Sequence, residues 1–164
     1  NTLCEIAGAG RSAAASPLTA PRPEAIGLIT VMKNTLRDAG MNPEDVDHIN
    51  THGTSTPLGD VAELKAISAV FGDHAKNINI NSTKSMTGHL LGAAGAIEAI
   101  ASILAMQHGI IPPTINHSVV DDKIDPSLNL TLNTPQKREV NVAMSNTFGF
   151  GGHNACVLFK KLVD

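Results

Sequence analysis

The sequence contains no tryptophan and no tyrosine, and phenylalanine occurs only four times in 164 residues. The core must therefore consist mainly of Ala, Ile, Leu, Val and Met side chains. Only two cysteines are present, Cys4 and Cys156, and both lie in apolar stretches far apart in the sequence. Two such cysteines argue against a disulfide framework or a cysteine metal site, and they predict buried, reduced thiols.

Charge is also scarce, since charged residues make up 16% of the chain and the formal net charge is −3. No run of basic residues exceeds Lys160-Lys161, so we expect no nucleic-acid partner. The longest apolar run, from Leu90 to Met106, is interrupted by Glu98 and Ser102. It is shorter than the ~20 residues that a membrane span requires, so we expect no membrane partner and a cytoplasmic location.

Local patterns predict strands that alternate with helices. The predicted strands cover residues 3–9, 46–50, 78–81, 128–132, 140–145 and 155–159, with a loop over 11–23. The predicted helices cover 23–38, 57–71 and 92–106. We expect one α/β domain over residues 1–164, in which helices pack on a sheet whose last two strands are neighbours.

Each predicted helix also has an expected buried face. In the first, Ile26, Ile29 and Leu36 form the apolar side, and Gly40 follows as the stop. The second alternates apolar with charged residues, and Glu63 is assigned to its polar side. The third is apolar almost all round, so we expect most of its surface to be buried.

Three polar, glycine-containing segments each follow or end a predicted strand, at residues 50–57, 81–89 and 145–152. Ligands of open α/β sheets collect outside the carboxyl ends of the strands, so we expect the three segments to meet at one site. That site would carry His52, His89 and Lys84. Neutral imidazoles that donate hydrogen bonds, with an ammonium nearby, suit the handling of a carbonyl or an enolate. The glycine spacing does not match the phosphate-binding motifs of nucleotide-binding proteins.

The same segments carry a resemblance to a known family. His-Gly-Thr-Ser-Thr-Pro at 52–57, Ser-Thr-Lys-Ser-Met-Thr-Gly-His at 82–89 and Asn-Thr-Phe-Gly-Phe-Gly-Gly at 146–152 occur in the order and spacing of the β-ketoacyl-acyl-carrier-protein synthases. The chain resembles the C-terminal half of these condensing enzymes, closest to the elongating type II enzymes of bacterial fatty-acid synthesis. The resemblance implies a thiolase-like fold and an acyltransferase that performs a decarboxylative Claisen condensation.

The resemblance also implies a role for individual residues. His52 and His89 match the two catalytic histidines that stabilise the enolate-like intermediate, and Lys84 matches the active-site lysine. Thr54 and Thr56 match residues that hold the phosphopantetheine arm, and Thr19 matches a residue near the pantetheine channel.

Phe150 matches the gating phenylalanine, whose backbone amide contributes to the oxyanion hole. Phe148, in contrast, is expected to be a core residue. Glu98, Ser145 and Asn146 match a structural monovalent-cation site. No other cofactor is expected, because phosphopantetheine arrives on the carrier protein.

In this family the nucleophilic cysteine lies in the N-terminal half, and neither Cys4 nor Cys156 occupies such a position. The sequence begins with Asn1 rather than Met, in what reads as a strand already under way, so we expect a segment of a longer protein. The partners implied are acyl- and malonyl-acyl-carrier protein, the protein's own N-terminal half, and a second copy in a homodimer. Alone, the 164-residue chain is expected to be inactive.

Three alternatives remain open at this stage. The first is a non-catalytic partner subunit that resembles the chain-length factors of aromatic polyketide systems. The second is a piece of a polyketide ketosynthase. The third is a metal-binding module that uses several of the seven histidines, although the sequence lacks a paired-ligand spacing next to a carboxylate.

Overall fold

The computed structural model describes residues 2–13, 25–119 and 121–162, and of Phe150 it describes only the backbone. Five strands form the main sheet and two short strands pair separately. The strands are β1 (Glu5–Ala13), β2 (His48–Asn50), β3 (Asn79–Asn81), β4 (Ile110–Ile111), β5 (Gln136–Lys137), β6 (Val142–Phe148) and β7 (His153–Lys160). The helices are α1 (Ile26–Ala39), α2 (Gly59–Phe71), the single turn α3 (Lys84–Thr87) and α4 (Ala94–His108).

The main sheet has the strand order β1-β7-β6-β2-β3. Strands β6, β2 and β3 run parallel, while β7 is antiparallel to both of its neighbours. Helices α1 and α2 cover one face of this sheet, and α4 packs on β6 from the other face. The expected α/β layering and the pairing of the last two strands are therefore confirmed.

The first strand extends to Ala13, so the loop expected to start at residue 11 is wrong for residues 11–13. Residues 14–24, which contain the rest of that loop and the expected helix start, lie outside the described part of the chain. Helix α1 ends at Ala39 and is followed by Gly40 with a φ of 62°, as expected of a glycine stop. Its predicted buried face is confirmed for Leu36 and in part for Ile29, which packs against the core. It is wrong for Ile26, which is exposed, and it omits Val31 and Met32, which are fully buried.

The strand expected over 128–132 is wrong. Within it the chain forms only isolated bridges, between Asn129 and Asn79 and between Leu132 and Thr114. Two positive φ angles, 49° at Thr131 and 58° at Asn133, interrupt the extended backbone. Alternating side chains are therefore not sufficient here, because a strand also needs a continuous run of extended residues.

Helix α4 departs furthest from expectation. Its buried positions include Ala94, Glu98 and Ser102, which recur every fourth residue. Apolar side chains instead point away from the sheet, with Ile97 37%, Ile100 53% and Leu104 45% exposed. The expectation that most of this helix is buried is wrong for the described chain, because only one of its faces has a sheet to contact.

Residues 91–108 are also long and apolar enough, by length and composition alone, to span a membrane. The core helix of a soluble protein passes the same test. Helix α4 packs on β6 with the face that contains Glu98 and Ser102. We therefore interpret this segment as a core helix with one uncovered side.

Candidate active site

The three polar segments meet at one edge of the sheet, as the sequence predicts. Strands β2, β3 and β6 are parallel, so their carboxyl ends reach the same edge. The segment after β2 carries His52, the segment after β3 carries Lys84 and His89, and β6 ends at Phe148. The convergence of the segments thus follows from the sheet topology.

The imidazole rings of His52 and His89 lie edge to face, with their centroids 5.5 Å apart and their planes at 87°. The ring of Phe148 also lies close to the His52 ring, at a centroid distance of 5.7 Å and an interplanar angle of 51°. Phe148 also contacts the main hydrophobic core. It is therefore both a core residue, as expected, and a neighbour of His52, which the sequence did not indicate.

His52 is held in its neutral form. Desolvation lowers its pKa from 6.5 to about 4, and the positive charges of Lys84 and His89 act in the same direction. At neutral pH an imidazole of this pKa carries one N–H donor and one acceptor nitrogen. Within the described part of the chain, its buried Nδ1 has no hydrogen-bond partner.

The tautomer of His89 follows from a local backbone contact. Its Nδ1 accepts a hydrogen bond from the backbone N–H of Leu91 at 3.2 Å. In the neutral ring an accepting Nδ1 leaves the proton on Nε2, which is then the donor available to a ligand. Leu91 reaches this position with a φ of 50°, which is uncommon for a residue that has a side chain.

Lys84 forms a buried ion pair with Glu98 on α4. Both side chains are almost fully shielded, at 4% and 2% exposure. Burial raises the pKa of the Glu98 carboxyl, and the hydrogen bond and charge of Lys84 oppose that shift. Lys84 thus brings a positive charge close to His52, and the ion pair with Glu98 holds that charge in place.

Glu63 is a site residue that the sequence analysis missed. Its carboxylate accepts the backbone N–H groups of His52 and Gly53, each at 3.0 Å, and the Nδ2 group of Asn146 at 3.1 Å. Burial raises its pKa to about 7 against the effect of these donors. A signal was present in the sequence, because Glu63 lies four and seven residues before the buried Ile67 and Val70, on the apolar face of α2.

The remaining predicted ligand contacts are only partly described. Thr54 and Thr56 lie in the segment that connects His52 to α2, and the Thr56 hydroxyl accepts the N–H of Gly59 at 3.2 Å. Thr19 lies outside the described residues. Phe150 lies in the short turn Phe150–Gly152 after β6, and its side chain lies outside the described part.

The side chains of the expected cation site are not brought together. Glu98 is paired with Lys84 on the α4 side of the sheet, whereas the Asn146 amide contacts Glu63 and Met32 on the opposite side. Ser145, adjacent to Asn146 in β6, is directed to the α4 side because side chains alternate along a strand. A cation held by all three side chains therefore does not fit this arrangement.

No three His, Cys, Asp or Glu residues lie close enough to hold a metal ion within the described ranges. A shallow cavity of about 530 Å³ lies at the far end of α4 and is lined by residues that include Met106, Lys137, Arg138 and Lys161. Because α4 has 15 residues and is roughly 22 Å long, this cavity is remote from the two histidines. This cavity is therefore separate from the candidate site at the edge of the sheet.

Comparison with known proteins agrees with this geometry. Residues 3–118 match the family described as "Beta-ketoacyl synthase, C-terminal domain". Over 98% of its length the chain is 49% identical to the 3-oxoacyl-[acyl-carrier-protein] synthase 2 of Coxiella burnetii, and 48% identical to that of Staphylococcus aureus. The chain spans 38% of the length of each of these relatives.

Solved structures give the same result. A ketosynthase complex with its type II polyketide acyl-carrier protein superposes with a TM-score of 0.95 at 31% identity, covering 99% of this chain and 40% of that one. A β-ketoacyl synthase from Burkholderia phymatum gives 0.91 at 34%, covering 99% of this chain and 38% of that one. The expected thiolase-like fold is confirmed by these neighbours. The chain therefore belongs to the β-ketoacyl synthase family, whose C-terminal domain it matches.

Proposed function

We propose that this chain is the C-terminal part of a 3-oxoacyl-[acyl-carrier-protein] synthase, an acyltransferase that extends an acyl chain by a decarboxylative Claisen condensation. The observation that carries the proposal is the 5.5 Å approach of His52 to His89 beside the buried Lys84–Glu98 pair. Two imidazoles at this separation can donate hydrogen bonds to one thioester oxygen.

In the proposed reaction, the bond between the carboxylate and the methylene carbon of the malonyl group breaks and carbon dioxide leaves. The electron pair of that bond moves into the thioester and forms an enolate. N–H donors of His52 and His89 stabilise its oxygen, because hydrogen bonds are strongest where charge develops in a site shielded from water. Lys84 adds a positive potential, and because Glu98 holds it, little of its side chain has to reorganise during the step.

The enolate carbon then attacks the carbonyl carbon of an acyl group held on a cysteine. The new C–C bond forms as the C–S bond breaks, and the thiolate leaves. Cys156 does not fit this role, because burial raises the pKa of its thiol to about 12. Burial also raises the pKa of Cys4. We therefore infer that the nucleophile belongs to a part of the protein outside this chain, and that the chain is inactive alone.

The uncovered face of α4 supports a missing partner segment of the same protein. Ile97, Ile100 and Leu104 are exposed beside Leu90 and Leu91, which follow His89 directly. A contiguous apolar surface next to a reactive site calls for a covering element. We propose that the N-terminal half of the protein covers it and that the cysteine is thereby brought to the two histidines, so that residues 1–164 form one of two halves.

The proposed partners are acyl- and malonyl-acyl-carrier protein, in a homodimeric cytoplasmic enzyme. In the family, one solved neighbour is a ketosynthase in complex with its acyl-carrier protein. Phe150 as gate and oxyanion donor, and Thr54, Thr56 and Thr19 as pantetheine contacts, are proposed from the motif resemblance. Their roles apply to the assembled enzyme.

The test is release of carbon dioxide from malonyl-acyl-carrier protein by the purified full-length protein, followed by formation of the 3-oxoacyl product from an acyl-carrier substrate. Both activities are expected. A non-catalytic chain-length factor would give neither on its own. If neither activity is found, the proposal is wrong and a chain-length factor becomes the better interpretation. A ketosynthase/chain length factor is among the structural neighbours, at 36% identity.

A further inference from the structure

We propose that Ser82 is a positioning residue that sets the place of the His52 ring relative to Lys84. The inference rests on the proposed function and adds a residue to its machinery. Ser82 is the first residue after β3 and is buried. Its hydroxyl donates a hydrogen bond of 2.8 Å to the carbonyl oxygen of Gly53, the residue that follows His52.

The backbone at Gly53 fits tightly against Ser82. Gly53 has a φ of 41°, and a Cβ placed on it would lie 2.6 Å from both the Cβ and the Oγ of Ser82. Real Cβ atoms do not approach so closely, so only glycine fits this contact. The peptide that carries His52 is therefore in direct contact with the segment that carries Lys84.

This peptide is held from two sides. Glu63 accepts the N–H groups of His52 and Gly53, each at 3.0 Å, while Ser82 binds the Gly53 carbonyl. The ring itself has no comparable anchor, since Nδ1 of His52 lacks a partner in the part of the chain that the structure describes. The backbone hydrogen bonds and the flanking rings must then determine where the imidazole lies.

Ser82 is in turn fixed by a neighbouring segment. Its N–H donates to the hydroxyl of Thr114 at 2.9 Å, and its carbonyl accepts the hydroxyl of Ser85 at 2.8 Å. The same Ser85 oxygen accepts the N–H of Ile115 at 3.0 Å. Ser82 thus lies between a fixed support and the His52 segment, two residues before Lys84.

The experiment uses the full-length protein with Ser82→Ala, and with Ser82→Cys as a second variant that keeps an atom at the γ position, although a larger one, and donates only weakly. Ser68→Ala, in α2 away from the histidines, removes the same atom as a control. We expect the Ser82 variants to lower kcat for carbon dioxide release by about 10-fold or more, because small misplacements of catalytic groups slow a reaction strongly. KM should stay within about 2-fold, since substrate binding is not altered.

The direct readout is the imidazole ¹⁵N signal of His52, which should shift in both Ser82 variants and stay unchanged in Ser68→Ala. If kcat per folded molecule and the His52 signal both remain those of the parent protein, the proposal is overturned. A loss of activity that only tracks the unfolded fraction would also overturn it, because that is a structural role. If the unmodified protein releases no carbon dioxide, the proposed function fails, and the ¹⁵N signal alone decides the role of Ser82.

Discussion

The carboxylate of Glu63 binds the backbone N–H of His52, while the ring of the same histidine lies against His89. A buried acid on α2 therefore holds the peptide of a residue whose imidazole remains free to act. This separates the support of His52 from its chemistry, and it makes the effects of substitutions at the two positions distinguishable.

The histidine pair gives the most direct prediction. In the full-length protein, His52→Ala and His89→Ala should each reduce malonyl decarboxylation by about 100-fold or more, because each removes one donor to the developing oxyanion. The measurement is carbon dioxide release from malonyl-acyl-carrier protein in the absence of the acyl substrate that would load the cysteine. His108→Ala is the control, because His108 is exposed at the far end of α4. Undiminished release in both variants would contradict the assigned roles.

Removing the charge of only one partner of the Lys84–Glu98 ion pair should destabilise the protein strongly. Lys84→Met or Glu98→Gln should each lower the free energy of unfolding by about 3–5 kcal/mol, because each leaves an uncompensated buried partner. The double variant should lose less than the sum of the two. Urea unfolding of the three variants measures this coupling.

A matched comparison is available on the surface. Lys161 and Glu139 form an exposed pair at 3.6 Å, and Lys161→Met should cost less than about 1 kcal/mol. Equal losses at Lys84 and Lys161 would show that burial adds nothing to the first pair.

The raised pKa of Glu63 predicts a pH dependence of stability. Its carboxyl titrates at about 7 in the folded chain, against 4.5 for the ordinary group. The folded state therefore binds the Glu63 proton more tightly than the unfolded state does. The resulting contribution to the free energy of unfolding is fully present below pH 4.5 and is lost as the pH rises through 7. The free energy of unfolding should therefore fall, relative to Glu63→Gln, by roughly 1–3 kcal/mol across that window.

The comparison with Glu63→Gln isolates this effect. His48 and His52, whose pKa values are lowered to about 4, act in the opposite direction as the pH falls below 6.5. Both proteins contain them, so their contribution cancels in the difference. A difference that is flat with pH would mean that Glu63 titrates in the folded chain as it does in water.

The uncovered face of α4 predicts that the 164-residue chain self-associates when expressed alone. Ile100→Glu with Leu104→Glu should shift its sedimentation toward the monomer, because two charges would then lie on one apolar face. Ile26→Glu is the control, since Ile26 is 61% exposed on α1, away from this face. A monomer at high concentration without any substitution would contradict the prediction.

The sequence predicts the parts of this fold that depend on local pattern. Glycine after α1, the polar segments at the strand ends and the pairing of the last two strands all follow from residue type and spacing. The burial of Glu63 follows only in part. Its spacing from Ile67 and Val70 places it on the apolar face of α2, but a carboxylate in a helix is normally solvated. It becomes reasonable only when two backbone N–H groups from another segment are available, and tertiary structure alone supplies them.

Helix α4 shows the opposite limit. Its composition indicates burial on nearly all sides, yet within the described chain only the face with Glu98 and Ser102 is covered. The sequence of a helix indicates how much of its apolar surface must be buried, but not which other segment packs against that surface. The side chains of the expected cation ligands do not converge for a related reason, because neighbouring residues in a strand point to opposite faces and Asn146 is directed away from Glu98.

The pairing of β1 with β7 places Glu5 opposite Lys160, so two strands that are far apart in the sequence are neighbours in the sheet. Strand β1 pairs with the rest of the sheet only through β7, so β1 cannot join the sheet until β7 has formed. Contacts of such sequence separation slow folding, because a long loop must be ordered before they form. The addition of β1 to the sheet should therefore be a late event of folding.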